Sequence, residues 1–291
     1  MLNRVFVALT IVVSFATAGV LFKNSEIAKG LEHKLSTINN LKYSKLYCFG
    51  IVSTTCLALD MNLSDDRFSI FSKRFTIENI EKVNGISGDE NGTFPFAISF
   101  EEVQVSESEY DKRLLEISDK LKDDDLIFDI EIVGKITRLG FQEDIKIDHL
   151  LISNNLFDFN LSLDMRIQNK KSFLLKMVSI KLKNRELLER FYTIESQYRK
   201  YLIFEDFRKE LVSKIESFKK SGVEKDILDS LKTLIQDNGK DIFEFSISTK
   251  SKEHLDVYQL FITYNMLYMF QGLDAIEKEL QKTFNIKIEA K

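Results

Sequence analysis

Large apolar side chains alternate with polar ones at every second position over several stretches of this chain. Leu57, Leu59, Met61 and Leu63 are separated by Ala58, Asp60 and Asn62, and Phe94, Phe96, Ile98 and Phe100 keep the same rhythm, as do Phe128, Ile130 and Ile132. The longest run is Phe157, Phe159, Leu161, Leu163, Met165 and Ile167, interleaved with Asp158, Asn160, Ser162, Asp164 and Arg166. Successive side chains of a strand project to opposite faces, so a period of two gives each strand one apolar and one solvated face. The pattern predicts an antiparallel, β-rich region over 43–183. Runs of about ten residues exceed the common strand length of about five or six, which points to an extended sheet.

Two stretches leave this rhythm. Ser106-Glu-Ser-Glu109 has the form of a capping box, and Tyr110, Leu114, Ile117 and Leu121 follow at helical spacing, predicting one inserted helix over 106–121. From 184 to 238 the apolar residues recur every three or four positions, as in Leu187, Phe191, Ile194 and Tyr198, then Phe207, Leu211 and Ile215, then Ile227, Leu231 and Leu234. That spacing predicts a helical segment. In the remainder, 239–291, Phe243, Phe245 and Ile247 return to the strand period, and Phe284 to Ile288 is expected to close the sheet. Leu255 to Phe270 is almost wholly apolar. With Asp256, Gln259 and Asn265 inside sixteen residues it is too short and too polar to span a membrane. It fits a buried core element or the lining of an apolar ligand site. The expected class is α+β, an extended antiparallel sheet with one apolar face partly covered by helices.

The start of the chain has another character. Between Arg4 and Lys23, the eighteen residues from Val5 to Phe22 carry no charge. As a helix they reach about 27 Å, close to the ~30 Å hydrocarbon core of a bilayer. Two outcomes stay open: residues 1–22 remain as a signal anchor with a short helical stalk at 23–42, or cleavage after Ala16-Thr17-Ala18 releases a soluble body. Lys23, Lys29 and Lys34 beyond the segment outnumber Arg4 before it, which by itself favours a cytoplasmic body.

Two features favour export instead. Cys48 and Cys56 flank a turn at Gly50 to Ser53, so a hairpin would face them across the ladder. In an exported chain such a pair reads as a disulfide, with two buried thiols as the alternative. The spacing does not suit zinc, and His33, His149 and His254 offer no second pair of ligands. Three N-x-S/T triplets begin at Asn62, Asn91 and Asn160, each with an aspartate two positions upstream: Asp60, Asp89 and Asp158. These are glycan acceptors in exported proteins, and the added aspartate resembles the extended acceptor of certain bacterial oligosaccharyltransferases. Asn91, in a glycine-rich loop, is expected to be the most accessible.

The chain has 41 basic and 45 acidic residues, and Arg4 is the single charge in the first 22. The remainder therefore has net charge −5 and lacks the basic footprint of a nucleic-acid binder. No nucleophile elbow, phosphate loop or zinc-protease helix occurs, so no catalytic residue, metal or cofactor is assigned and an enzyme is not expected. An N-terminal anchor, a cysteine-flanked hairpin and successive long alternating strands together resemble periplasmic envelope proteins of the AsmA-like type. That resemblance covers architecture over 1–183. It implies an anchored, periplasmic protein concerned with lipid or envelope assembly. The expectation is thus a non-enzymatic envelope protein whose face at Phe157, Phe159, Leu161, Leu163, Met165 and Ile167 takes a lipid or other apolar ligand. The alternative is a structural or adhesive module with a closed core.

Overall fold

The computed structural model describes residues 21–64, 68–81, 91–107, 126–168, 172–199, 203–217, 225–236, 241–250, 255–271, 279 and 282–291. The chain forms two compact units, one of Met1–Glu90 with Phe94–Lys112, the other of Asn91–Thr93 with Arg113–Lys291. Both are rich in antiparallel strands, and the class is α+β.

In the first unit a helix over 21–36, α1, precedes β1 (Leu41–Lys42), β2 (Lys45–Phe49), β3 (Thr55–Ser64), β4 (Phe68–Glu78) and β5 (Gly92–Glu107). β1 and β2 both pair with β3, which pairs with β4, and β4 with β5. Ile27, Leu31 and Leu35 recur every fourth residue along one stripe of α1, and this stripe packs on Cys56, Ala58, Met61, Phe75, Ile77 and Ile80. The segment expected as a stalk is therefore part of the body, because its stripe closes this core. Phe75 and Phe100 add a tilted ring contact at 4.8 Å.

The faces of β3 differ from the sequence expectation. Leu57 and Leu59 were expected beside Met61, yet Met61 shares the buried core with Cys56 and Ala58. The cause is a phase change: Asp60 takes a left-handed conformation at φ 51°, and the ladder resumes only beyond it. Neighbouring strands change phase at the same level, at Lys73 in β4 and at Glu102, φ 49°, in β5. Lys73 and Glu102 form an ion pair at 2.5 Å there. A second correction concerns Ser106 and Glu107, expected to open a helix. They end β5, paired with Ser69 and Phe68, because the long β4–β5 ladder continues through them. The rest of that expected helix, to 121, lies outside the described residues.

The second unit orders β6 (Ile127–Leu139), β7 (Gln142–Ser153), β8 (Phe157–Gln168), β9 (Ser172–Asn184), β10 (Ile242–Thr249) and β12 (Phe284–Ala290) side by side, with β11 (Leu255–Asp256) also on β9. The β7–β8 turn is fixed by Asn154, whose Oδ1 accepts from the N–H groups of Leu156 and Phe157. Asn184 caps the next element in the same way, accepting from Leu187 and Leu188. There begin the helices α2 (Leu187–Tyr198), α3 (Phe204–Ser217) and α4 (Lys225–Gln236). Tyr192 meets Phe204 and Phe207 at 5.1 and 5.8 Å, joining α2 to α3. After β11 comes α5 (Val257–Gln271).

Irregularities cross three successive ladders of this unit: between Val133 and Gly134 on β6, between Ile147 and Leu150 on β7, and between Asp164 and Met165 on β8. Asp148 is the extra residue on β7 and Lys176 on β9. The hydroxyl of Ser162 donates to the Asp148 carbonyl at 2.7 Å, giving that carbonyl a partner where the ladder is interrupted.

Among the described residues no helix is long and apolar enough to cross a membrane. Residues 1–20 of the apolar start, the loop 82–90 before Asn91, and His254 lie outside the described residues.

Candidate apolar ligand face

Register in the second unit brings one apolar side chain from each strand into rows. Ile130, Ile152, Phe159, Leu182, Phe243 and Ala290 form one row, and Ile132, Leu150, Leu161, Ile180, Phe245 and Ile288 the next. A third runs through Gly134, Ile147, Leu163, Val178, Ile247 and Ile286, and a shorter one through Ile136, Ile145, Met165 and Leu175. Five of the six residues expected on this face thus sit in register with apolar partners on both neighbouring strands or, for Phe157, beside the ring of Phe128 at 6.3 Å. The sixth, Ile167, faces Phe173 on one side and Glu143 on the other.

All six are half-buried, and so is every large side chain of the first three rows. Buried apolar side chains of this unit lie elsewhere, at Leu156, Phe207, Leu228, Ile235 and Phe284. Of these, Leu228 and Ile235 lie on α4 and Phe284 on the β12 strand it packs against. α4 rests on β10 and β12, and α5 on β9, whereas β6 to β8 have no comparable helix partner among the described residues.

Opposite these rows the same strands carry charge. Arg166 grips Asp144 with two hydrogen bonds of 2.6 and 3.1 Å, and that hydrogen bonding raises the guanidinium pKa further. Asp158 pairs with Arg185 at 2.7 Å, Asp164 with Lys176 at 3.4 Å and Lys146 with Asp148 at 2.7 Å. Solvent-exposed pairs of this type are worth about 0–1 kcal/mol each, so this side is a hydrated surface.

The stretch from Leu255 onward differs from a buried element. α5 has no charged residue, and Asp256 caps it by accepting from the Tyr258 and Gln259 N–H groups. Tyr258, Phe261 and Met266 are nonetheless 71%, 66% and 52% exposed. A helix apolar on all sides buries only the side that meets β9.

Cys48 and Cys56 face each other across the β2–β3 ladder and form a disulfide, with Cα atoms 4.1 Å apart. Gly50 makes the intervening turn possible: its φ is +133°, and a Cβ there would lie 1.9 Å from the Ser53 carbonyl oxygen. Of the three acceptor triplets, Asn91 is exposed, with its Oδ1 accepting from the Gly140 N–H at 2.7 Å. Asn62 and Asn160 are half-buried in β3 and β8. His33 is exposed, and His149 Nε2 lies 3.5 Å from a Glu131 carboxylate oxygen. Among the described residues no three His, Cys, Asp or Glu side chains group as metal ligands.

The alternation in β8 placed its own six residues, but their partners on β7 and β9 were not read from sequence. Ile147 to Leu150 and Leu175 to Val178 are steps of three, made by the extra residues Asp148 and Lys176. No protein-family model matches this chain, and no curated protein matches its sequence.

Proposed function

We propose that this chain is a non-enzymatic bacterial envelope protein, anchored through residues 5–22 with its body in the periplasm, whose β6–β10 face holds a lipid or other apolar ligand. On this reading the fold is an extended antiparallel sheet with one apolar face partly covered by helices, behind an N-terminal membrane helix. One observation carries it: rows of apolar side chains run across six strands, half-buried and none fully covered, with no helix over β6 to β8 comparable to α4 among the described residues. Water is a poor solvent for such a surface, and contiguous apolar patches of this kind mark ligand or partner sites. The AsmA-like resemblance of the anchor, hairpin and strands supports the same compartment.

The test is binding of a fluorescent fatty acyl probe to delipidated protein. Each buried methylene is worth about 0.8 kcal/mol, so two more methylenes should tighten binding about tenfold. Leu161→Asp and Leu163→Asp should abolish binding, while Lys181→Gln, on the opposite face, should leave it intact. No binding by folded wild type, or equal binding by all variants, refutes the reading. A structural or adhesive module with a closed core would then stand in its place. That second reading is favoured by the end of the sheet at α4, where Leu228, Ile235 and Phe284 are buried.

A further inference from the structure

The first unit presents a second apolar surface, at the tip of the disulfide-closed hairpin. Phe49, Ile51 and Val52 are 56%, 79% and 93% exposed, and the tip from Phe49 to Ser53 carries no charge. The rest of the hairpin base is held firmly: Cys56 is buried, disulfide-bonded to Cys48 and inside the core under α1.

Hydrogen bonds fix where this tip sits. Asn24 Nδ2 donates to the Gly50 carbonyl at 3.1 Å, and the Thr54 hydroxyl is within 3.1 Å of Asn24 Oδ1. Glu81 accepts from the Thr54 N–H and hydroxyl and pairs with Lys23 at 2.6 Å. Both ends of the turn are thus tied to residues 23 and 24 of α1. Immediately before them Leu21 and Phe22 are each 70% exposed, and they end the uncharged run that begins at Val5.

We infer that Ile51 and Val52 insert into the lipid surface at the foot of the anchor, making the hairpin tip a second, shallow point of membrane contact. This rests on the anchor reading given above. Lipid is the occupant because the tip is tied to the two residues that follow a bilayer-length apolar run, so a membrane holding that run lies at the tip's level. Apolar side chains exposed there meet acyl chains instead of water. A closed turn with its ends tied has little conformational freedom left to lose on insertion.

The chain lacks tryptophan, so one introduced residue reports alone. Full-length protein carrying Val52→Trp is reconstituted into phosphatidylethanolamine–phosphatidylglycerol vesicles and compared with Ile38→Trp. Ile38, in the turn after α1, is 46% exposed in the same unit, and the helix from Asn24 to Ser36 puts about 18 Å before that turn. Flotation with the vesicles after alkaline carbonate washing reports the anchor. In floated protein Val52→Trp should be blue-shifted and quenched by lipids brominated near the top of the acyl chain, with Ile38→Trp unshifted and unquenched. Floated protein whose Val52→Trp emits as in water overturns the inference and leaves the anchor standing. Protein that does not float overturns both. Circular dichroism and an intact disulfide in each variant exclude misfolding as the cause.

Discussion

The carboxylate of Glu81 offers the sharpest energetic test of how the hairpin is held. It accepts from the Thr54 N–H at 3.0 Å and the Thr54 hydroxyl at 2.6 Å, and pairs with Lys23 at 2.6 Å. Partial burial pushes its pKa up, but the hydrogen bonds from Lys23 and Thr54 outweigh this and bring it from 4.5 down to about 2. At about 1.36 kcal/mol per pKa unit the full shift corresponds to roughly 3.4 kcal/mol. The side chain is 30% exposed, so solvent screening reduces the contribution to about 1–2 kcal/mol. Glu81→Gln keeps acceptors for Thr54 but removes the charge, and should cost that amount. Glu81→Ala also strands the N–H of the fully buried Thr54, whose hydroxyl keeps Asn24 Oδ1 as a partner, for a total of about 2–4 kcal/mol. A depressed folded-state pKa stabilises above the unfolded value and loses its effect as pH falls toward the folded one. Wild type should therefore exceed Glu81→Gln in stability at pH 7, with the gap closing between about pH 4.5 and pH 2. Amide hydrogen exchange in β3 and β4 under mild urea reads the first unit alone. A gap unchanged down to pH 2, or no gap at pH 7, would refute the argument.

Unreduced, denatured protein should take up no alkylating reagent, and Cys48→Ala with Cys56→Ala should lower the stability of the first unit by about 2–3 kcal/mol; quantitative labelling without reductant contradicts the disulfide. In a host with a D/E-x-N-x-S/T oligosaccharyltransferase, Asn91→Gln should remove most glycan, since Asn91 is exposed and Asn62 and Asn160 are half-buried in strands. Mass spectrometry finding the glycan chiefly on Asn160 overturns that ranking.

What the sequence revealed depended on whether a strand kept its phase. β8 alternates without interruption from Phe157 to Ile167, and its observed span is Phe157–Gln168. β3 looked equally regular, but the left-handed Asp60 exchanges its faces midway, a backbone choice that period-two counting does not detect. β7 and β9 were hidden for a related reason, since their extra residues offset the apolar positions by one. The helices of 187–236 were legible because a stripe every three or four residues survives local irregularity. Leu255 to Phe270 illustrates the opposite limit. Uniform apolarity carries no periodic signal, so neither its helical form nor its exposure was written in the pattern. The rows that make up the ligand face were also out of reach, because register between strands distant in sequence is a tertiary property.

The bulge at Asp148 means that β7 is written in two reading frames. Ile145 and Ile147 occupy odd positions and Leu150 and Ile152 even ones, yet all four lie in rows of the same face. One residue, interposed without a counterpart on either neighbouring strand, performs the change of frame. Deleting Asp148 would merge the two frames into one and remove the bulge, together with the carbonyl that accepts from Ser162. With Leu150 and Ile152 in place, Ile145 and Ile147 would stay on the oily side and Lys146 on the charged one, now in ordinary alternation. A deletion at any regularly paired position of β7, with the bulge kept, would instead turn over every side chain on one side of the cut. Asp148 is therefore the one position along β7 where a residue can be lost without exchanging the faces of the strand.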